Sequence, residues 1–261
     1  METHREKQGP VAQPTQRFSD RVDYYIKYRP GYPAEIITFL TEVCGLTQAS
    51  LIADVGSGTG LLSRLFLENG NRVIGIEPNI EMRSAGETYL RNYPGFTSLA
   101  ATAEATTLPD QSIDVVTAGQ AFHWFRQQEA VVEFRRILKP GGWVTLIWND
   151  RQIDTTPFLQ VYEHLLQNYA TDYRAVDHKN VTHDHFGGLF GQSLKLKTFS
   201  NNQRLSYEEL EGRLLSSSYA PLAGQPNYEP MLAELRRIFA AHQRDGTVDL
   251  KYTTLLYYCQ F

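Results

Sequence analysis

Two rhythms of apolar residues run through positions 18–150. Short apolar runs at 51–56, 72–76, about 97–100, 113–118 and 143–148 have strand length and end in glycine, proline or acidic residues. Between them apolar positions recur at helical spacing, at 61–69, near 80–92 and at 128–138. Lys139-Pro140-Gly141-Gly142 ends the last of these, since proline and glycine cannot continue a helix. Upstream, Pro33 suits a first helical turn, and Ile36, Ile37, Leu40 and Val43 share one helical face. Strands alternating with helices predict right-handed βαβ units and a parallel sheet covered on both faces.

After Asn149 the alternation stops. Residues 156–169 have helical spacing, residues 171–193 look irregular, and 194–205 alternate like a strand. Ser206-Tyr207-Glu208-Glu209 has the form of a capping box opening a helix toward Leu215. A helix at 228–242 and an alternating strand from Val248 to Tyr258 follow. The expected organisation is a flexible tail at 1–17, a core with an N-terminal lid at 18–150, a cap or substrate-region insertion at 151–193, and a completing segment at 194–261.

Composition narrows the function classes. The chain has 261 residues, 42% of them hydrophobic, which supports a sizeable core. With a formal charge of −4 and no long basic run, phosphate neutralisation of a nucleic acid is not expected. No membrane segment is expected, and residues 1–16 lack the apolar stretch of a secretory signal, so the expected location is cytoplasmic. Cys44 and Cys259 stand far apart, which predicts reduced thiols rather than a disulfide or metal framework. His178, His183, Asp184 and His185 lack the spacing of metal ligands and are read as a polar loop, so no metal is expected.

The most specific stretch is Leu51-Ile52-Ala53-Asp54-Val55-Gly56-Ser57-Gly58-Thr59-Gly60, a strand breaking into a glycine-rich turn. Glycine lets backbone approach a ligand that side chains would exclude. Glu77 closes the next strand, where a carboxylate can accept both hydrogen bonds of a ribose diol. The G-x-G-x-G spacing differs from the G-x-G-x-x-G of pyrophosphate-binding dinucleotide sites. An acid before the loop suits a cationic amine rather than a phosphate.

These residues resemble the first two motifs of the class I S-adenosylmethionine-dependent methyltransferases. Ala103-Glu104 before Leu108-Pro109-Asp110 resembles the family's third motif, and Arg136 to Gly142 resembles the turn before its fifth strand. Tyr28-Arg29-Pro30-Gly31-Tyr32-Pro33 is similar to the branch that includes trans-aconitate-type enzymes. The resemblance spans about 30–150. It implies an α/β fold with a Rossmann-like, seven-stranded, mostly parallel sheet, helices on both faces, an antiparallel last strand and a helical or irregular cap. It implies methyl transfer from S-adenosyl-L-methionine to a small-molecule acceptor, possible carboxylates included, by a monomer or homodimer. A catalytically silent cofactor-binding module and a nicotinamide-dependent oxidoreductase are the alternatives.

The resemblance assigns the cofactor to Tyr28, Arg29, Asp54, Gly56, Ser57, Gly58, Gly60, Glu77, Pro78, Met82, Ala103, Glu104, Gly119 and Gln120. Gly119 to Phe125 follows the fourth strand, where cofactor and acceptor meet. Phe122, Trp124, Trp148 and Asn149 are therefore candidate acceptor contacts. His123 is a candidate base because imidazole titrates near neutrality, and Tyr219 is a second. Each has a plainer reading: His123 as a structural histidine, Trp148 as a core tryptophan, Glu77 as an exposed strand-end acid and Glu104 as a solvated loop acid.

Overall fold

The computed structural model describes residues 22–171, 173, 183–191 and 193–261. The 1–17 tail and His178 lie outside the described residues, as do the side chains at 183–185. Seven strands form one sheet: β1 (Leu51–Val55), β2 (Arg72–Ile76), β3 (Phe96–Leu99), β4 (Ile113–Gly119), β5 (Leu138–Arg151), β6 (Lys195–Leu205) and β7 (Val248–Gln260). Their spatial order is β3-β2-β1-β4-β5-β7-β6. The first five strands pair in parallel, and β7 runs antiparallel to both β5 and β6. The order reverses between β1 and β4, so their carboxyl ends leave a crevice.

Helices α1 (Val22–Tyr28), α2 (Glu35–Cys44), α3 (Leu61–Glu68), α4 (Ile80–Tyr89) and α5 (Gln127–Ile137) belong to the first half of the chain. Helices α6 (Pro157–Tyr169), α7 (His183–Phe190), α8 (Tyr207–Leu215) and α9 (Tyr228–His242) belong to the second. One apolar layer packs Ala53, Val116, Phe122, Phe134 and Trp148 together, and another packs Ile36, Leu40, Ile52, Phe66 and Val115. Successive strand residues point to opposite faces, so both layers draw on β1 and β4. A third cluster joins α6, α8 and α9 to Leu250 and Tyr252 of β7.

Local chemistry sets the helix starts. Asn79 accepts from the Met82 amide at 2.8 Å and Thr156 from the Leu159 amide at 3.2 Å. Ser206 and Glu209 form the reciprocal bonds of a capping box, as the sequence predicts. The sequence reading needs two corrections. Residues 183–190 are helical, not irregular, and Phe186 and Phe190 bury their rings around Phe122. The strand expected at 143–148 runs from 138 to 151: Leu138 pairs with Ile113 of β4 at its start, and β7 supplies an antiparallel partner from Trp143 to Arg151.

Tight packing holds α1 over the crevice. A methyl group on Gly212 of α8 would overlap the Tyr28 ring, and Gln203 donates to the Tyr28 carbonyl at 3.0 Å. Gly212→Ala is expected to dislodge α1 while leaving the sheet intact. Faster proteolysis near residues 22–30 with unchanged far-ultraviolet circular dichroism would show it; an unchanged cleavage rate would refute it.

Candidate functional site

The carboxyl ends of β1, β2, β4 and β5 border a cleft with two chambers. Glu77, Pro78, Met82, Ala103, Glu104 and Trp124 line an acidic chamber of about 210 Å³. Arg29, Asp54, Asn149, Arg151, Arg213 and Tyr219 line an arginine chamber of about 140 Å³. Tyr25, Gly56, Gly58, Gly119 and Gln120 border both.

The glycine loop is shaped by backbone demands. Gly56 and Ser57 donate to the Ile76 carbonyl at 2.8 and 3.1 Å, tying the loop to β2. Gly56 and Gly58 have φ of 68° and 56°, where a side chain strains the backbone. A Cβ at Gly56 would lie 2.7 Å from the Ala121 Cβ, and one at Gly119 would lie 2.5 Å from the Tyr32 hydroxyl. Protein side chains already fill the space a Cβ would take there, so glycine at both positions lets Ala121, Phe125, Tyr32 and Leu62 pack against the loop and strand end. Gln120 is left-handed at φ 55° although it has a side chain, a strained conformation of the kind that gathers at functional sites.

Two buried carboxylates flank this loop. Glu77 Oε2 accepts from the Gly58 amide and Oε1 from the Asn79 amide, both at 2.9 Å. It is 8% exposed, which excludes the exposed-acid reading, and burial raises its carboxyl above the ordinary range. Asp54 is fully buried; Oδ2 accepts from Ser63 Oγ at 2.6 Å, and Oδ1 has no partner among the described residues. Burial pushes the Asp54 carboxyl up to about 7, partly offset by Ser63.

The arginine chamber carries the opposite charge. Arg29 donates from Nη2 to the Ser216 carbonyl at 2.9 Å, and its guanidinium lies 4.9 Å from the Tyr25 ring centre. Arg151 pairs with Glu163 and donates to Tyr173 Oη at 2.9 Å. Arg213 donates to Tyr252 Oη and Ser217 Oγ, both at 3.0 Å. Burial opposes ionisation of Tyr219, yet Arg213, Arg151 and Arg29 hold its phenol below the ordinary range. Neither Arg151 nor Arg213 was among the candidates. Arg213 had a signal: it follows Leu210 by three positions on the apolar face of a capped helix, where a charge is costly without a purpose.

The structure brings most of the candidates to the cleft. Arg29, Asp54, Ser57, Gly119, Gln120, Asn149 and Tyr219 border the arginine chamber, and Glu104 borders the acidic one while accepting from the Arg126 amide at 2.8 Å. Five candidates border neither chamber. Tyr28 packs on Gly212, while Tyr25, one turn back on the helix face shared with Arg29, takes its place at the cleft. Gly60 caps α3 at φ 83° beside Leu90. Phe122 is fully buried in the aromatic cluster, and Trp148 stacks on Phe186 at 5.2 Å. His123 packs on Trp124 at 4.7 Å, and Trp124 itself faces the acidic chamber rather than the arginine chamber. The short 3-10 turn at 122–124 accounts for this, sending successive side chains in different directions. Among the described residues no cluster of histidine, cysteine and acidic groups could hold a metal, and no helix is long and apolar enough to cross a membrane.

A parallel sheet with a reversed strand order, a glycine cradle and buried acids at the first two strand ends define an α/β enzyme of the nucleoside-cofactor type. Residues 53–146 match the family model described as a methyltransferase domain. An uncharacterised methyltransferase-like protein of Schizosaccharomyces pombe is 30% identical over 244 residues, covering 92% of this chain and 93% of its own. An uncharacterised methyltransferase of Mycobacterium tuberculosis is 37% identical over 134 residues, about half of each chain (51% and 52%). A candidate type II methyltransferase from Anaeromyxobacter dehalogenans shares the fold, with a TM-score of 0.67 at 22% identity over 89% of this chain and 98% of that one. The phosphoethanolamine N-methyltransferase 2 of Haemonchus contortus, solved with S-adenosylhomocysteine, does so at 0.54 and 14% identity, over 94% of this chain and 58% of its own.

The chain belongs to the methyltransferase family. It is a class I S-adenosylmethionine-dependent methyltransferase.

Proposed function

We propose that the two chambers divide the work of methyl transfer to a small-molecule acceptor. The single observation that carries this reading is the pair of buried carboxylates astride the glycine loop, Asp54 with one oxygen unpartnered and Glu77 with both oxygens oriented by backbone amides. Glu77 would hold the cofactor's ribose hydroxyls, with Met82, Ala103 and Glu104 beside the adenine. Asp54 Oδ1 would accept from the cationic amine, and Arg29 would pair with the amino-acid carboxylate. When bound, S-adenosylmethionine supplies a methyl group already made electrophilic by its sulfonium.

The protein's task is then alignment and exclusion of water. Gly56 and Gly119 border both chambers, and Tyr25, Trp124 and Phe125 wall their junction. Asn149 is fixed by bonds to the Gly31 carbonyl and from Thr254 Oγ1, and would orient the acceptor. A carboxylate acceptor needs no base. For a less acidic nucleophile Tyr219, which borders the arginine chamber, is better placed than His123, which does not. The resemblance of Tyr28 to Pro33 to the trans-aconitate branch favours a small acid. In this reading residues 18–150 supply the cofactor site, and 151–193 with 194–261 complete the acceptor side.

Thermal-shift titration tests the assignment. S-adenosylmethionine and its demethylated product are expected to raise the melting temperature at micromolar concentration, with no change from NAD. Stabilisation by NAD alone would reverse the reading.

A further inference from the structure

The charge of the arginine chamber exceeds what the cofactor reading uses. Arg151 is matched by Glu163. Arg29 would be matched by the cofactor's carboxylate, on the reading proposed above. Arg213 is left. It is buried on α8 and forms no ion pair among the described residues, where its hydrogen-bond partners are the neutral oxygens of Tyr252 and Ser217. Those bonds use Nε and one hydrogen of Nη1. Nη2 makes none, so one edge of the guanidinium fork is unused, and the residue borders the chamber. A buried cation without a counter-charge is costly, and a planar fork matches a carboxylate in bidentate fashion.

Among the described residues, no ion pair neutralises Arg213. Asp54 borders the chamber at the glycine loop, where the cofactor's amine claims it. Phenols make up much of the remaining wall, from Tyr25, Tyr173, Tyr219 and Tyr252. They offer hydrogen bonds and flat apolar faces but no fixed negative charge.

We infer that Arg213 anchors a carboxylate of the methyl acceptor that is held in place rather than methylated, so the substrates are small organic acids with a second, nucleophilic atom. The product then keeps its charge at the anchor. This inference rests on the cofactor reading for the direction of the methyl group, but not for the existence of the anion site.

Succinate, benzoate and the neutral diester dimethyl succinate serve as probes, each titrated with and without saturating S-adenosylhomocysteine and followed by thermal shift and calorimetry. The two carboxylates are expected to bind the wild-type protein and the diester is not. Arg213→Gln is expected to weaken carboxylate binding by about tenfold to a hundredfold while leaving S-adenosylhomocysteine affinity unchanged. Arg213→Lys, which keeps the charge but not the fork, is expected to fall between, and it decides the matter if the glutamine variant fails to fold. Equal binding of the diester, unchanged binding by both variants, or no carboxylate binding to the wild type would overturn the inference. Failure of S-adenosylhomocysteine to bind would instead sink the cofactor reading, and the cofactor-free titrations would still score Arg213.

Discussion

Glu77→Ala is expected to lower S-adenosylhomocysteine affinity by about a hundredfold, the equivalent of roughly 3 kcal/mol. Hydrogen bonds to a charged acceptor contribute roughly 1.5–3 kcal/mol each, and a ribose diol offers two. Part of the loss comes through the loop. Without the carboxylate, the amides of Gly58 and Asn79 lose their acceptor, and the turn that shapes the cradle loosens. Glu77→Gln separates these contributions, because its single carbonyl oxygen can serve one amide but not both. Its affinity is expected to fall nearly as far, with a smaller drop in melting temperature than in the alanine variant. Calorimetry giving wild-type affinity for either variant would remove Glu77 from the cofactor site.

Asp54→Asn is expected to stabilise the cofactor-free protein above neutral pH and to weaken cofactor binding. The folded carboxyl sits at about 7, raised by burial from the ordinary 3.8. Between about pH 4 and 7 the unfolded chain has released a proton that the folded chain still holds. Stability therefore falls as pH rises through that window and levels off above it. A gap of about three pH units corresponds to roughly 4 kcal/mol at neutral pH as an upper bound. Asparagine carries no charge to bury and still accepts from Ser63. Denaturant titrations from pH 4 to 8 are expected to show a downward slope in the wild type that flattens in the variant. Parallel slopes would mean that Asp54 keeps an ordinary carboxyl. The weaker cofactor binding follows from replacing an anion aimed at a cationic amine with a neutral amide.

Much of the fold was legible because the parallel half of the sheet is coded locally. Strands β1, β2 and β4 are apolar runs bounded by glycine, proline or acidic residues, and burial on both faces keeps them continuous. Asp54, the glycine loop and Glu77 followed from that reading, since a strand end is a fixed address on the sheet's rim. The arginine chamber was not legible in the same way. Arg29, Arg151 and Arg213 meet only after α1, β5 and α8 are brought together by pairings that span most of the chain. Tyr28 and Tyr25 illustrate a finer limit. Both belong to an aromatic segment, and only the Tyr28 contact with Gly212, 184 residues away, decides which one turns to the cleft. Helix α7 went unseen because its apolar face is short and interrupted by two glycines, Gly187 and Gly188.

The placement of β7 has a consequence for how the protein is made. It is the last of the seven strands to be translated, yet it lies between β5 and β6 and bonds to both. Until it leaves the ribosome, β5 presents an apolar strand edge with no neighbour, and Tyr252 is not yet there to receive Arg213. The arginine chamber, which Tyr252 lines, can close only after β7 is in place. Until β7 pairs, that open edge of β5 is the surface most exposed to wrong pairing.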